Sequence, residues 1–214
     1  MPVRSDAVDD LRVRLLGGLS VDGFASKAIG SRKARTLLAA LAVRRGGAAP
    51  VDALAEALWG EEQPARPADQ VGVIVSRLRG TLGVERIERH DAGYLLRADW
   101  LDVDELEART ADAQERLLAG ASLGARLAAG MALDLARGPL LPEEDGEWVD
   151  RPREASARTI ATAGLVAAEA ALASGDALGA LAAASGGLDH DPYDEAALRA
   201  VMRAHVALGR PASA

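Results

Sequence analysis

The apolar positions between Val51 and Leu96 change period twice, from helical spacing to strand alternation. VDALAEALWG reads as a short helix closed by a glycine, and PADQVGVIVSRLRGTLG as a longer one. In the longer helix Val71, Val75, Leu78 and Leu82 fall at i, i+4, i+7 and i+11, which makes one buried stripe over about 67–82. Projection at about 100° per residue turns Asp69, Val73, Ser76, Arg77 and Gly80 outward, with Gln70 and Gly72 on the flanks. Pro67 suits the first helical position and Gly83 ends the helix. ERIERH and YLLRA then alternate as strands on either side of Asp91-Ala92-Gly93, a hairpin turn. Helix, helix and β-hairpin in that order, with a basic hairpin tip, form a winged helix-turn-helix. In that architecture the second helix enters the major groove and the hairpin reaches the adjacent backbone or minor groove.

Upstream, LRVRLLG, LSVDG and ASKAI read as short strands separated by glycine turns, predicting a small antiparallel sheet. Ser31 then caps a helix over about 32–45, with Leu37, Leu38 and Leu41 at helical spacing and Gly46-Gly47 as its stop. Downstream of Asp99 the pattern is helical, over about 103–118, 123–135, 149–174, 177–188 and 193–208. Turns fall at Gly138-Pro139 and in the acidic loop LPEEDGEW. SGDA and LDHDPYDE lie where antiparallel helix pairs would turn, and small residues recur on the facing sides, as in AGLVAAEAALASG. This pattern predicts tetratricopeptide-like stacking of helical hairpins. The expected organisation is therefore α+β, a winged helix-turn-helix over residues 1–98, followed by an all-α helical-repeat domain over 99–214. The chain stops at GRPASA, where a hairpin would begin its second arm, so a longer polypeptide is expected.

The 214 residues suffice for two small cores, and with aromatics at 3% those cores must be built from alanine, leucine and valine. The absence of cysteine excludes disulfides and thiolate metal sites. MPVRSDAVDD has no apolar signal region and no apolar run reaches membrane-spanning length, so a cytoplasmic protein is expected. The net charge of −7 is unevenly divided. Residues 1–98 carry 15 Lys+Arg against 12 Asp+Glu, a net of +3, whereas residues 99–214 carry 10 against 20, a net of −10. A basic N-terminal half and an acidic C-terminal half suggest different partners for the two domains.

Arg77 and Arg79 on the second helix are candidates for guanine or phosphate contacts; the plainer reading is a solvated face, or Arg79 bridging within the domain. Arg89 and His90 at the hairpin tip could reach phosphate or the minor groove, or simply form an exposed turn. Lys33 and Arg35 could touch backbone from the first helix, or be merely solvated. Trp59 and Tyr94 follow apolar runs and are read as packing residues. Trp148 either anchors the acidic loop or offers a surface to a partner. No phosphate-binding loop, HExxH or GxSxG occurs, so neither an enzyme nor a bound cofactor or metal is expected.

ALWG, VSRLRGTLG, RIERHDAGYLL, DVDELEA, ARGPLLP and EEDGEWV, in that order, resemble the antibiotic regulatory protein (SARP) group of actinobacterial activators. The resemblance covers about residues 10–210. It implies a winged helix joined to a bacterial transcriptional activator domain. It further implies sequence-specific activation of a secondary-metabolite or similar gene cluster, with binding to direct repeats in duplex DNA and contact with RNA polymerase. Where the family pattern runs N-x-L-Q, this chain has Asp69-Gln70-Val71-Gly72. Base readout then falls on Gln70, Val73 and Arg77, with Arg79, Arg89, Lys33 and Arg35 as further DNA contacts. A homodimer on tandem sites is expected, with no membrane partner. The alternative is a protein-interaction module that kept both folds but has weakened DNA binding.

Overall fold

The computed structural model describes residues 10–188 and 193–210. The chain divides into two compact units, one running to Asp102 and including Gly138–Arg153, the other comprising Val103–Arg137 and the residues from Glu154 onward.

The first unit opens with β1 (Arg12–Arg14), which is central in a sheet of order β2-β1-β5. β2 (Ser20–Val21) pairs antiparallel with it, Val13 opposite Val21. β5 (Trp100–Leu101) pairs parallel, Val13 opposite Leu101. A parallel neighbour needs a long crossover, and here the crossover is the entire helical core and wing. Period-2 alternation buries Val13 and leaves Arg12 and Arg14 outside, stacked on the Trp100 ring at 4.3 and 5.0 Å. The sheet expected from three consecutive runs therefore differs in its third member. ASKAI contributes a 3-10 turn at Ser26–Ala28, and the strand in its place comes from beyond the wing.

α1 (Arg32–Ala42) starts at Ser31, whose hydroxyl accepts from the Ala34 N–H at 3.3 Å. It stops three residues short of the expected Arg45, in a turn where Arg45 adopts φ 51°. α1 is buried along most of its length, which explains its run of Leu and Ala. α2 (Val51–Trp59) and α3 (Pro67–Leu82) have the expected bounds. β3 (Ile87–His90) and β4 (Gly93–Leu96) form the wing, with Arg89 opposite Tyr94. Paired hydrogen bonds between Ala49 and Tyr94, at 2.7 and 3.0 Å, dock β4 on the α1–α2 link. At Gly93, where φ is 142°, any Cβ would collide with the Ala49 carbonyl.

The acidic loop belongs to this same unit, a feature that a single cut at residue 98 does not provide for. The Gly17 and Leu141 N–H groups donate to the Pro139 and Leu15 carbonyls, both at 2.9 Å. Arg153 binds the carbonyls of Leu140, Leu141 and Glu144. Asp102 is fully buried, and its carboxylate accepts from the N–H groups of Leu15 and Leu16 at 2.9–3.0 Å. Glu144 is also buried and accepts from the Thr36 hydroxyl at 3.0 Å.

The second unit contains most of α4 (Asp102–Leu118), α5 (Ser122–Leu133), most of α6 (Glu147–Ala173), α7 (Ala177–Leu188) and α8 (Glu195–Ala207). Its core is mostly alanine. Ala113, Ala128 and Ala129 pack with Val166 and Ala167. Ala168, Ala184 and Ala200 form a second cluster, and Ala171, Ala180 and Ala204 a third. Side chains of one carbon let α6, α7 and α8 approach closely, so contact area replaces side-chain bulk. Asp176 turns the α6–α7 hairpin by accepting from the Gly179 N–H at 2.8 Å, and that hydrogen bond holds its carboxyl below the usual range. Arg203 of α8 clasps Glu169 of α6 at 2.6 and 2.7 Å. The helices agree with expectation to within a few residues. α8 begins at Glu195 rather than Tyr193 because Asp194 caps it, and residues 189–192 of the expected LDHDPYDE turn lie outside the described residues.

Asp102→Asn replaces an acceptor-only carboxylate with an amide that keeps one acceptor oxygen for Leu15 and Leu16 and turns its NH2 towards the Leu15 N–H. It is expected to lower unfolding stability by about 2–3 kcal/mol, read from urea melts. Burial pushes the Glu144 carboxyl above its ordinary 4.5, outweighing the Thr36 hydrogen bond. The folded protein thus holds a proton that the unfolded chain has released, and stability from this group falls as pH rises from about 4.5 through the raised value. Glu144→Gln keeps an acceptor for Thr36 and cannot ionise. Denaturation series from pH 5 to 8 are expected to show a shallower loss of stability in the variant.

Candidate nucleic-acid interface

α3 is amphipathic by construction. Val71, Ile74, Val75, Leu78 and Leu82 are buried, which adds Ile74 to the stripe expected from spacing. Asp69, Val73, Ser76, Arg77 and Gly80 are exposed, as the projection predicts, and Gln70, expected on the flank, is exposed as well. The outward face is therefore a row of one acid, one amide, one apolar residue, one hydroxyl and one cation, with a bare backbone position near its end. Asp69 lies 3.6 Å from Arg66 in the preceding turn, both well exposed. The arginine offsets part of the repulsion that Asp69 would exert on a phosphate, and the carboxylate also favours the helix N-terminus.

The candidate cations fall into two groups. Arg79 and Arg89 converge on Tyr94, with guanidinium carbons 5.9 and 4.8 Å from the ring centroid. Arg79 Nε donates to the Ile87 carbonyl at 2.8 Å, tying α3 to the first wing strand. Arg89 Nη1 donates to the Tyr94 hydroxyl at 2.8 Å from across the hairpin. Tyr94 is itself buried at 8% exposure. It faces Gly72, where a Cβ would stand 3.9 Å from its hydroxyl. Arg77 is exposed, and its side chain has no hydrogen-bonding or ionic partner among the described residues. At the wing tip the exposed His90 accepts from the Ala92 N–H at 3.4 Å through Nδ1.

Lys33 and Arg35 sit elsewhere, on the first turn of α1. The Lys33 ammonium lies over the Trp59 ring at 4.7 Å, and Arg35 Nη1 donates to the Gly30 carbonyl at 3.1 Å. Trp59 and Trp148 are both half-buried and line a recess of about 840 Å³ together with Glu56, Asp145, Glu147 and Asp150. Those carboxylates would repel a phosphate approaching this side of the unit.

Sequence spacing located α3, the wing and their cations but not the part played by Tyr94. Its place opposite Arg89 follows from the hairpin register, whereas its contact with Arg79 depends on how the wing folds back on the helix. Glu88 and Arg97, also on the wing, form a paired contact at 2.9 Å on each arm. The hydrogen bond to Arg97 holds the Glu88 carboxyl low.

Comparison with known proteins places this arrangement. A family model, the bacterial transcriptional activator domain, matches residues 101–214, over half of the chain. The chain belongs to the SARP-type family of transcriptional activators. It is 31% identical over 156 residues to the regulatory protein AfsR of Streptomyces griseus, covering 72% of this chain and 16% of that protein. With AfsR of Streptomyces coelicolor the identity is 32% over 157 residues, covering 71% and 16%. The chain thus spans a small part of the length of these curated relatives. Among solved structures it resembles Mycobacterium tuberculosis EmbR, determined in complex with a low-affinity phosphopeptide. The TM-score is 0.86 at 28% identity, covering 95% of this chain and 56% of EmbR. The winged helix followed by a helical activator domain is therefore the fold of this SARP-type chain, and its family is one of regulators rather than enzymes. No helix among the described residues is long and apolar enough to cross a membrane.

The different surroundings of the two α3 arginines have a measurable consequence. Arg79→Ala strands the Ile87 carbonyl and is expected to cost about 1–2 kcal/mol of stability. Arg77→Ala is expected to stay within about 0.5 kcal/mol of the parent. Urea unfolding midpoints of the two variants check both.

Proposed function

We propose that this chain is a sequence-specific DNA-binding activator that inserts α3 into the major groove and lays the wing on the adjacent backbone. The observation that carries this reading is the open Arg77 on the outward face of α3, beside a wing whose Arg89 is oriented by Tyr94. Gln70 and Val73 join Arg77 in reading bases, Gln70 suiting adenine and Val73 a thymine methyl. Arg89 contacts phosphate or the minor groove. Arg79 acts chiefly by holding helix and wing together, and Lys33 and Arg35 stand at the margin of the footprint. The small positive balance of the N-terminal half gives one protomer limited phosphate attraction, so two protomers on tandem direct repeats supply the remaining affinity. The acidic helical domain then contacts RNA polymerase at the promoter of a secondary-metabolite or similar gene cluster, in the cytoplasm.

The second reading is a protein-interaction module, and the specific observation behind it is Val73, 46% exposed in the middle of the α3 face. Fluorescence anisotropy separates the two. The titration uses duplex from the gene's own upstream region, single and tandem half-sites, random competitor and two salt concentrations. The activator predicts specific, salt-dependent binding that is tighter on the tandem site. In that case Arg77→Ala loses about 1–3 kcal/mol of discrimination if it reads a guanine. Equal weak binding to all duplexes, unchanged by Arg77→Ala, would assign the face to a protein.

A further inference from the structure

Trp148 and the acidic loop have no part in the proposed DNA surface, yet they build one wall of the recess that Trp59 also lines. One indole comes from the last turn of α2 and the other from the first turn of α6, both within the winged-helix unit, and both are half-buried. Glu56, Asp145, Glu147 and Asp150 line the same recess and are exposed. Of these carboxylates only Asp150 has a side-chain partner among the described residues, Arg153 at 3.1 Å. Arg151 is the one cation of the lining.

Local structure accounts for part of this charge. Glu147 and Asp150 fall in the first turn of α6, where a carboxylate suits the helix dipole. Glu56 does not, because it stands near the C-terminal end of α2, an end that favours cations and carries none. Trp59 follows three residues later on the same helix face. An unpaired carboxylate beside a half-exposed indole adds little to the fold and suits an incoming cation. The ring face attracts the positive charge, and the carboxylate accepts its N–H groups. Trp59 already receives one cation in this way, with the Lys33 ammonium 4.7 Å from its ring centroid. The buried Trp148 indole N–H has no acceptor, so packing alone fixes that ring.

A guanidinium fits such a recess better than an ammonium. It is planar, stacks on an indole and forks two hydrogen bonds to one carboxylate. Unpaired carboxylates stand on both walls, Glu56 on α2 and Asp145 and Glu147 on the loop and α6, so the recess suits a segment carrying several cations. The chain's own ends do not supply one. Residues 1–9 contain Arg4 against Asp6 and Asp9, and residues 211–214 carry no charged side chain.

We propose that this recess docks an arginine-bearing basic segment of a partner protein, its guanidinium groups stacking on Trp59 and Trp148 and pairing with Glu56 and Glu147. The site stands whether or not α3 reads bases.

The test is a fluorescence-anisotropy titration of the 214-residue chain into labelled hexa-arginine, with hexa-lysine as a reference of equal charge. A salt concentration of about 150 mM screens exposed charges beyond about 8 Å. Hexa-arginine is expected to bind at least about tenfold tighter than hexa-lysine. Glu56→Gln combined with Glu147→Gln is expected to weaken hexa-arginine by about tenfold or more. Removing the same charge from exposed acids of the helical unit, Glu115→Gln with Asp134→Asn, is expected to change it less than about twofold. Trp148→Leu is expected to abolish the preference for arginine over lysine. Thermal melts establish that each variant is folded, and the glutamate pair, being exposed, tests the site even if Trp148→Leu is not. Equal affinity for the two peptides, or equal loss in the two charge-removal variants, would overturn the proposal by reducing it to general attraction towards an acidic chain. Spermidine binding as tightly as hexa-arginine and displacing it would overturn it too, assigning the recess to a small polyamine.

Discussion

The winged-helix unit closes on a carboxylate that does not meet water. Asp102 accepts the N–H groups of Leu15 and Leu16, residues that immediately follow the central strand. Without it two buried donors would be left unsatisfied, each at a cost of about 1–3 kcal/mol. The parallel pairing of β1 with β5 brings Asp102 into position, and Asp102 in turn secures that pairing. The loop so closed contains α1, α2, α3 and the wing. Entry of the surface proposed for DNA is thus framed by a contact spanning 87 residues of sequence.

Within that loop, orientation of α3 relative to the wing depends on one aromatic side chain. Tyr94 is buried, receives a hydrogen bond from Arg89 and lies beneath the guanidinium groups of Arg79 and Arg89. Its backbone is fixed separately by the Ala49 pairing. Helix and hairpin are consequently held as one surface instead of two independent elements. Gly72 lies opposite the hydroxyl, where even a Cβ would make only ordinary van der Waals contact. The same construction ties the half-buried Arg79 to the wing and leaves Arg77 to the outside, so two arginines two residues apart have different physical duties.

The helical unit follows another economy. Alanine clusters let α6, α7 and α8 pack closely, but each contact removes little apolar area, so stability is spread over many small terms. Large side chains then become informative by their position. On α5 they face outward, with Leu123, Leu127 and Met131 exposed.

Periodicity alone determined the helices and the wing. α2 and α3 follow the sequence because their apolar stripes, the terminal proline of α3 and the terminal glycines are local signals, complete within one turn or two. The outward set on α3 was legible for the same reason, since exposure on a single amphipathic helix is set by its own spacing. Three features were decided only by tertiary structure. The third strand came from Trp100–Leu101 instead of ASKAI because strand pairing depends on a partner far along the chain. The acidic loop joined the winged-helix unit through backbone hydrogen bonds and Arg153, which leave no periodic trace in sequence. The division of labour between Arg77 and Arg79 rested on the wing folding back over α3 to present the Ile87 carbonyl and Tyr94. Local spacing specifies which way a side chain points; only the packed neighbour specifies what it meets there.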